Sequence, residues 1–211
     1  MRKESTWKNP RVAGEYDARR FGGTLGRRKQ RHDEALVVGL LARHGARGRI
    51  LDLPVGTGRL VPALSAAGHE VVGGDVSPEM LAAARERGAA ALVLANASRL
   101  PFPDGAFGGL CSIRFLFHLD GREERIRVLR ELGRVTRGPL VLQVRYRSTA
   151  KHLGRWIRGR VGLGRRPRPA LDRSGLGGEL SEAGLELLEL RPVSYLFSDK
   201  ALLVARRRTN G

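Results

Sequence analysis

The chain has 211 residues and 23.1 kDa with 41% hydrophobic content, enough for one globular domain with its own core and too little for a second full one. A single cysteine, Cys111, rules out an internal disulfide framework and suits a reducing compartment, while no run approaches the roughly 20 apolar residues that span a bilayer. The net charge of +18 draws polyanions, anionic lipid or acidic substrates at long range, yet 34 of the 39 basic residues are arginines, the rest being five lysines, spread along the chain as a compositional bias also would spread them.

Residues 1–28 are polar, carry Trp7, Tyr16 and Phe21 among arginines, and read as a short helix leading into a loop; Met1 to Thr6 hold no apolar signal core, so the reading is of a soluble, cytoplasmic protein. Over 28–44, Leu36, Val37, Leu40 and Leu41 recur at helical spacing, and Gly45 closes the pattern. Residues 49–60, RILDLPVGTGRL, run apolar into Asp52, turn through glycines, and continue with Leu60, Leu64 and Ala67 at helical spacing: a strand, a tight turn and a helix. Glycines there let backbone approach a bound group and a helix start offers unpaired N–H donors, so a ligand is expected on this turn, with Thr57 as the candidate cap.

Residues 70–75, EVVGGD, form a second strand ending on an acid, Asp75; Ser77 and Pro78 then start a helix whose apolar face holds Met80, Leu81 and Ala84. A third strand covers 91–95, Asn96 opens a loop through 100–105 (LPFPDG), and a fourth strand is predicted over 109–117. Ile126, Val128, Leu129 and Leu132 mark a helix over 123–135, followed by a fifth strand at 140–144. From 145 to 173 ten basic residues face one acid, Asp172, with Trp156, Ile157 and Val161 interspersed, and we read an inserted basic cap. A helix at 176–183 and strands at 185–190 and 201–205 follow, the last two close enough to pair only as an antiparallel hairpin.

Strands alternating with helices predict an α/β fold, a mostly parallel sheet covered on both faces, with ligands at the carboxyl ends of the strands. Asp52, Asp75, Asn96 and Arg114 all fall at such ends, and their convergence on one crevice is more specific than any single motif. A nicotinamide dehydrogenase fingerprint would need a third glycine at position 61, which is Val61; a doubly wound protein whose acids only cap helices is the plainer alternative.

These residues carry a resemblance. Residues 51–59 (LDLPVGTGR), 74–81 (GDVSPEML), 100–107 (LPFPDGAF) and 129–135 (LRELGRV) resemble, in order and spacing, the motifs of the class I S-adenosylmethionine-dependent methyltransferases, in particular the small-molecule branch with a methyltransferase 11-like core, over about residues 45–145. The resemblance implies a Rossmann-like three-layer sandwich with a mostly parallel seven-stranded sheet and an antiparallel C-terminal hairpin strand. It divides the single domain into an N-terminal lid and helix (1–45), a cofactor-binding core (46–145), the basic cap (146–173) and a C-terminal helix and hairpin (174–211). S-adenosyl-L-methionine is the implied cofactor. Asp75 would accept from the ribose hydroxyls, about 20 residues after the turn as in other nucleotide folds, and Asp52 would orient the ammonium of the amino-acid tail. Pro54, Gly56 and Gly58 would lie along tail and ribose, Asn96 and Ala97 would read the adenine edge, Val76 and Met80 would pack its face, and Arg114 would join them at the crevice. Tyr16 and Arg20 would fold over the ligand as a lid or lie on a surface helix, and Arg59 would reach the tail carboxylate or stay on the helix surface.

Three positions depart from the family pattern: Pro54 replaces the first loop glycine but keeps its carbonyl, Asn96 stands where an acid is common, and Gly108 stands where an aspartate usually follows the phenylalanine. These leave open a cofactor-binding relative without turnover. Methyl transfer from a sulfonium is an in-line displacement helped mainly by positioning, with a base needed only for unactivated acceptors, and His118 is the candidate base or pocket liner. The acceptor expected is a small molecule or a lipid- or quinone-like compound, with the basic cap as its binder and a peripheral contact to anionic membrane as a further role. RNA is the alternative partner. No metal is expected, and the oligomeric state is not legible.

Overall fold

The structure is a computed structural model that describes residues 23–119, 121–146, 153–154, 157, 160, 170–193 and 199–208. Tyr16, Arg20, Trp156 and Val161 lie outside the described residues.

Helix α1 (Thr24–Arg43) starts four residues before the span predicted for it and ends as expected, with Gly45 at φ 80° and the Ala46 N–H donating to Leu41 O at 2.9 Å. Strand β1 (Arg49–Asp52) leads through the glycine turn to a short α2 (Val61–Ala66), then β2 (Glu70–Asp75), α3 (Pro78–Arg85) and β3 (Ala91–Leu94). After a long loop come β4 (Gly109–Ser112), a 3₁₀ turn (Leu116–His118), α4 (Arg122–Val135) and β5 (Leu140–Arg145), and beyond the basic segment α5 (Arg173–Glu182), β6 (Leu185–Pro192) and β7 (Lys200–Arg207).

The seven strands form one sheet in the order β3-β2-β1-β4-β5-β7-β6. Strand β1 pairs in parallel with β2 and β4, and β5 continues in parallel from β4. Strand β7 runs antiparallel to both β5 and β6, so the reversed strand sits inside the hairpin side rather than at the edge. Between β1 and β4 the winding changes direction, and this switch point is where an α/β sheet opens a crevice at its carboxyl ends.

The alternation of side chains across the sheet gives it two apolar faces. On one, Val37, Leu40 and Leu41 of α1, Val61 and Leu64 of α2 and Ala84 of α3 pack over Ile50, Val71, Val141 and Val204. On the other, Ile126, Leu129 and Leu132 of α4 and Leu176 and Leu180 of α5 cover Leu51, Leu110, Leu140, Leu142 and Leu203. The three layers match the expected architecture.

Two local expectations are corrected. The fourth strand stops at Ser112 instead of running to 117, because Arg114 takes φ 61° and breaks the extended backbone; the apolar Leu116 that prolonged the pattern is buried by the 3₁₀ turn instead. Thr57 does not cap a helix: residues 56–60 form turns, with the Gly58 N–H on Val55 O and the Val61 N–H on Gly58 O, and α2 begins later with Leu60 at its N-cap and no side-chain cap bond.

The loop between β3 and β4 replaces a crossover helix and is clamped to α4. Arg134 donates from Nη1 to Phe102 O (2.8 Å) and Asp104 Oδ1 (2.9 Å) and from Nη2 to Leu100 O (3.2 Å), while Glu131 Oε1 accepts from the Leu100 N–H at 2.6 Å. Each bond joins a charged group to loop backbone or to an opposite charge, so Arg134→Met is expected to cost roughly 2 kcal/mol and lower the melting temperature by about 5 °C, read by circular dichroism.

Candidate functional site

The carboxyl ends of β1, β2 and β4 converge at the switch point. Asp52 closes β1 with 2% of its surface exposed, and Cys111, fully buried, stands opposite it in register on β4, its thiol donating to Asp52 Oδ1 at 3.4 Å. Burial pushes the Asp52 carboxyl up from the usual carboxylate range to about 7; the thiol bond and the charge of Arg59 work the other way, and Asp75 adds a small upward push. Burial also holds Cys111 as a thiol, well above its ordinary pKa.

Asp75 closes β2, buried at 6% exposure, and divides its carboxylate between two backbone donors: the Gly56 N–H on Oδ2 (2.9 Å) and the Ser77 N–H on Oδ1 (3.0 Å). Burial raises its pKa, tempered by these N–H groups and that of Val76. The carboxylate has about four acceptor sites, more than these N–H groups fill. Ser77 in turn caps α3, its Oγ accepting from the Met80 N–H at 3.3 Å and donating to Glu79 Oε2 at 2.6 Å. Asp75 thus fixes the glycine turn to the start of α3, a role that its place at a strand end did not announce.

The turn itself is held on both sides: the Leu53 N–H donates to Cys111 O (3.0 Å) and the Val55 N–H to Gly74 O (2.8 Å). Pro54 lies between them after a cis Leu53–Pro54 bond, at a position where neighbouring strands already satisfy the flanking N–H groups. The two loop glycines differ. Gly56, at φ 54°, has nothing within 4 Å of a built Cβ and faces open space, whereas a Cβ on Gly58, at φ 75°, would meet Ala84 Cα at 2.9 Å and Arg87 Cβ at 3.2 Å. Gly58 therefore seats the turn on α3, and Gly56 leaves the space beside it open.

Around this centre the other residues are scattered in kind. Val76 is 55% exposed beside Asp75, whereas Met80 is 3% exposed. Asn96 turns its Oδ1 back to accept from the Ser98 N–H at 2.9 Å, and Ala97 packs into the core beneath the loop. Leu94, at the end of β3, is 61% exposed; an apolar strand residue reads as core in a sequence, so the pattern did not single it out. A separate shallow groove lined by Pro78, Leu81, Ala82, Arg85, Glu86 and Leu94 lies between α3 and β3, at the sheet edge rather than at the buried acids.

Past β4, half-buried Arg114 leads into the 3₁₀ turn, where the His118 ring lies 4.8 Å from that of Phe117 at 46°. Phe117 is flanked by the Arg145 guanidinium, 5.1 Å from its centroid, and the Lys200 ammonium at 5.7 Å. Arg145 pairs with the buried Asp199. The turn thus puts an aromatic and cationic wall over the end of β5. Nothing in the sequence linked Phe117 to Arg145 and Lys200, which meet only through the β5–β7 pairing of Arg145 with Lys200.

Comparison with known proteins gives this fold its relatives. Residues 51–139 match the family described as a methyltransferase domain. The demethylmenaquinone methyltransferase of Thermus thermophilus is 50% identical over 74 residues, 32% of this chain and 34% of that one, and a probable tRNA methyltransferase 9B of Homo sapiens is 35% identical over 86 residues, 41% of this chain and 18% of that one. The chain therefore spans about a third or less of those relatives' length. The magnesium protoporphyrin IX methyltransferase of Synechocystis PCC 6803, solved with bound S-adenosylhomocysteine, superposes with a TM-score of 0.72 at 18% identity over 98% of this chain and 100% of its own.

Residues 51–139 are thus similar to the methyltransferase domain family, and the chain has the fold of the solved methyltransferases. Among the described residues no helix is long and apolar enough to cross a membrane.

Proposed function

We propose that the chain transfers the methyl group of S-adenosylmethionine to a small, quinone-like or lipid-like acceptor. The observation that carries this reading is the pair of buried carboxyls, Asp52 and Asp75, set on either side of the positive-φ turn at the switch point of the sheet. Asp75 accepts from the ribose hydroxyls with its remaining lone pairs, Asp52 takes the ammonium of the tail, and Pro54 and Gly56 line the tail with backbone. Val76 covers the adenine face; Asn96 and Ala97 border the adenine edge through their loop.

The acceptor lies beyond the sulfonium, toward the 3₁₀ turn. With a quinol acceptor, loss of a hydroxyl proton would let the π electrons of the ring carbon attack the methyl carbon; the carbon–sulfur bond would break to leave a neutral thioether, and the ring carbon would release its proton to solvent as the aromatic ring is restored, with alignment supplying most of the acceleration. Phe117, between Arg145 and Lys200, offers a platform for a flat, electron-rich ring, and His118 beside it can take a proton from a hydroxyl. The demethylmenaquinone methyltransferases among the relatives support a quinol acceptor. Leu153 and Ile157, four residues apart in the basic segment and 56% and 49% exposed, suit a greasy acceptor or the surface of an anionic bilayer.

Incubation with methyl-labelled cofactor and a short-chain demethylnaphthoquinol tests this directly, labelled methylnaphthoquinol being the expected product. No transfer to that quinol, with labelled RNA recovered from total RNA instead, would move the acceptor to the class named by the tRNA methyltransferase relative.

A further inference from the structure

We propose that Cys111 is a positioning residue for Asp52, and that the two work as a unit that gives up one proton when the ammonium of the cofactor binds. The inference rests on the placement of the cofactor tail at Asp52 proposed above.

Asp52 and Cys111 are paired residues on adjacent parallel strands, both out of solvent, and the thiol is the side-chain hydrogen-bond donor that Asp52 receives. The Leu53 N–H on Cys111 O fixes the backbone on the same side, so the sulfur is held over the carboxyl. A thiol is a weak donor and a poor substitute for water around a carboxylate.

The charges facing Asp52 do not make up the difference. Arg59, from the turn, favours the carboxylate; Asp75, from the end of β2, opposes it; Cys111, from β4, stays protonated. The carboxyl is therefore half protonated at about pH 7. An arriving ammonium replaces the missing solvation with a full charge: the carboxylic acid loses its proton to solvent and the carboxylate pairs with the ammonium, with no other bond made or broken.

Calorimetric titration of S-adenosylhomocysteine into the full chain, in phosphate and in Tris at each pH, counts the protons. Release of about half a proton at pH 7 is expected, rising toward one at pH 6 and falling toward zero at pH 8, with affinity weakening up to tenfold per unit below pH 7. Cys111→Ser supplies a stronger donor of similar size and should move the midpoint to lower pH, whereas Cys111→Val removes the donor and should move it higher. A packing role alone would change affinity at all pH values and leave the midpoint where it was. Binding with no proton release at pH 6, or an unmoved midpoint in both folded variants, overturns the proposal while leaving the cofactor site intact. Absence of binding by the unsubstituted chain overturns the site assignment and this inference with it.

Discussion

Gly108→Ala should leave little or no folded protein. A Cβ at this position would lie 1.8 Å from the carbonyl oxygen of Arg47 and 3.0 Å from its carbon. Neither side can retreat: Arg47 leads into β1, and the Gly108 N–H donates to Arg49 O at 2.9 Å just where β4 begins. A third segment stacks on the other side, since a Cβ on Gly138 would fall 1.9 Å from Gly108 O. Three backbones thus meet at the amino ends of β1, β4 and β5, and one methyl group would push apart the central strands. The expected cost exceeds about 4 kcal/mol, which is a large part of the stability of an ordinary domain.

Gly39→Ala provides the control of opposite sign. Gly39 is exposed within α1 with nothing within 4 Å of its Cβ position, so alanine there should stabilise by up to about 1 kcal/mol through helix propensity. Thermal melts of the two variants decide the matter: a Gly108→Ala transition within a few degrees of the unsubstituted chain would contradict the packing described. The aspartate that the resemblance leads one to expect at this position would need the space the Arg47 carbonyl occupies.

The second large effect is expected on binding. Asp75→Ala removes the acceptor for the ribose and also the carboxylate that holds the Gly56 and Ser77 N–H groups, so the glycine turn loses its tie to α3. Bonds to a charged acceptor contribute about 1.5–3 kcal/mol each, and losing those to the ligand alone should weaken S-adenosylhomocysteine binding by roughly 100-fold or more. Asp75→Asn, which keeps one carbonyl oxygen, should fall between. His118→Ala, at the acceptor side, should change cofactor affinity far less than Asp75→Ala; the reverse order would show that the ribose assignment is wrong.

Most of the fold was legible because it is written in periodicity. The apolar spacing of Leu36, Val37, Leu40 and Leu41, the acids that end β1 and β2, and the Ser77-Pro78 helix start all report local physics, and local physics decided those elements. Where the pattern misled, the cause was a single backbone choice: Arg114 at φ 61° ends a run that stays apolar through Phe117. The strand order was not legible, because pairing depends on crossovers whose direction leaves no mark on composition; the resemblance implied only seven strands with a reversed one in the C-terminal hairpin. Within the site, Asp52 and Asp75 were visible as strand-end acids, but the differing duties of Gly56 and Gly58 were not. One glycine faces open space and the other faces Ala84, a distinction set by what packs against them. The clamp of Arg134 and Glu131 on the 100–104 loop was likewise hidden, since its partners are 30 to 34 residues apart and mostly backbone.

The central claim is that the crevice between Asp52 and Asp75 binds S-adenosylmethionine. Calorimetric titration of S-adenosylhomocysteine into the full chain at pH 8, where Asp52 is ionised, tests it most directly. One site per chain with a dissociation constant on the order of 1–100 μM, lost in Asp75→Ala, is the result expected. No saturable heat at about 1 mM ligand, or equal affinity in the Asp75→Ala variant, would contradict it.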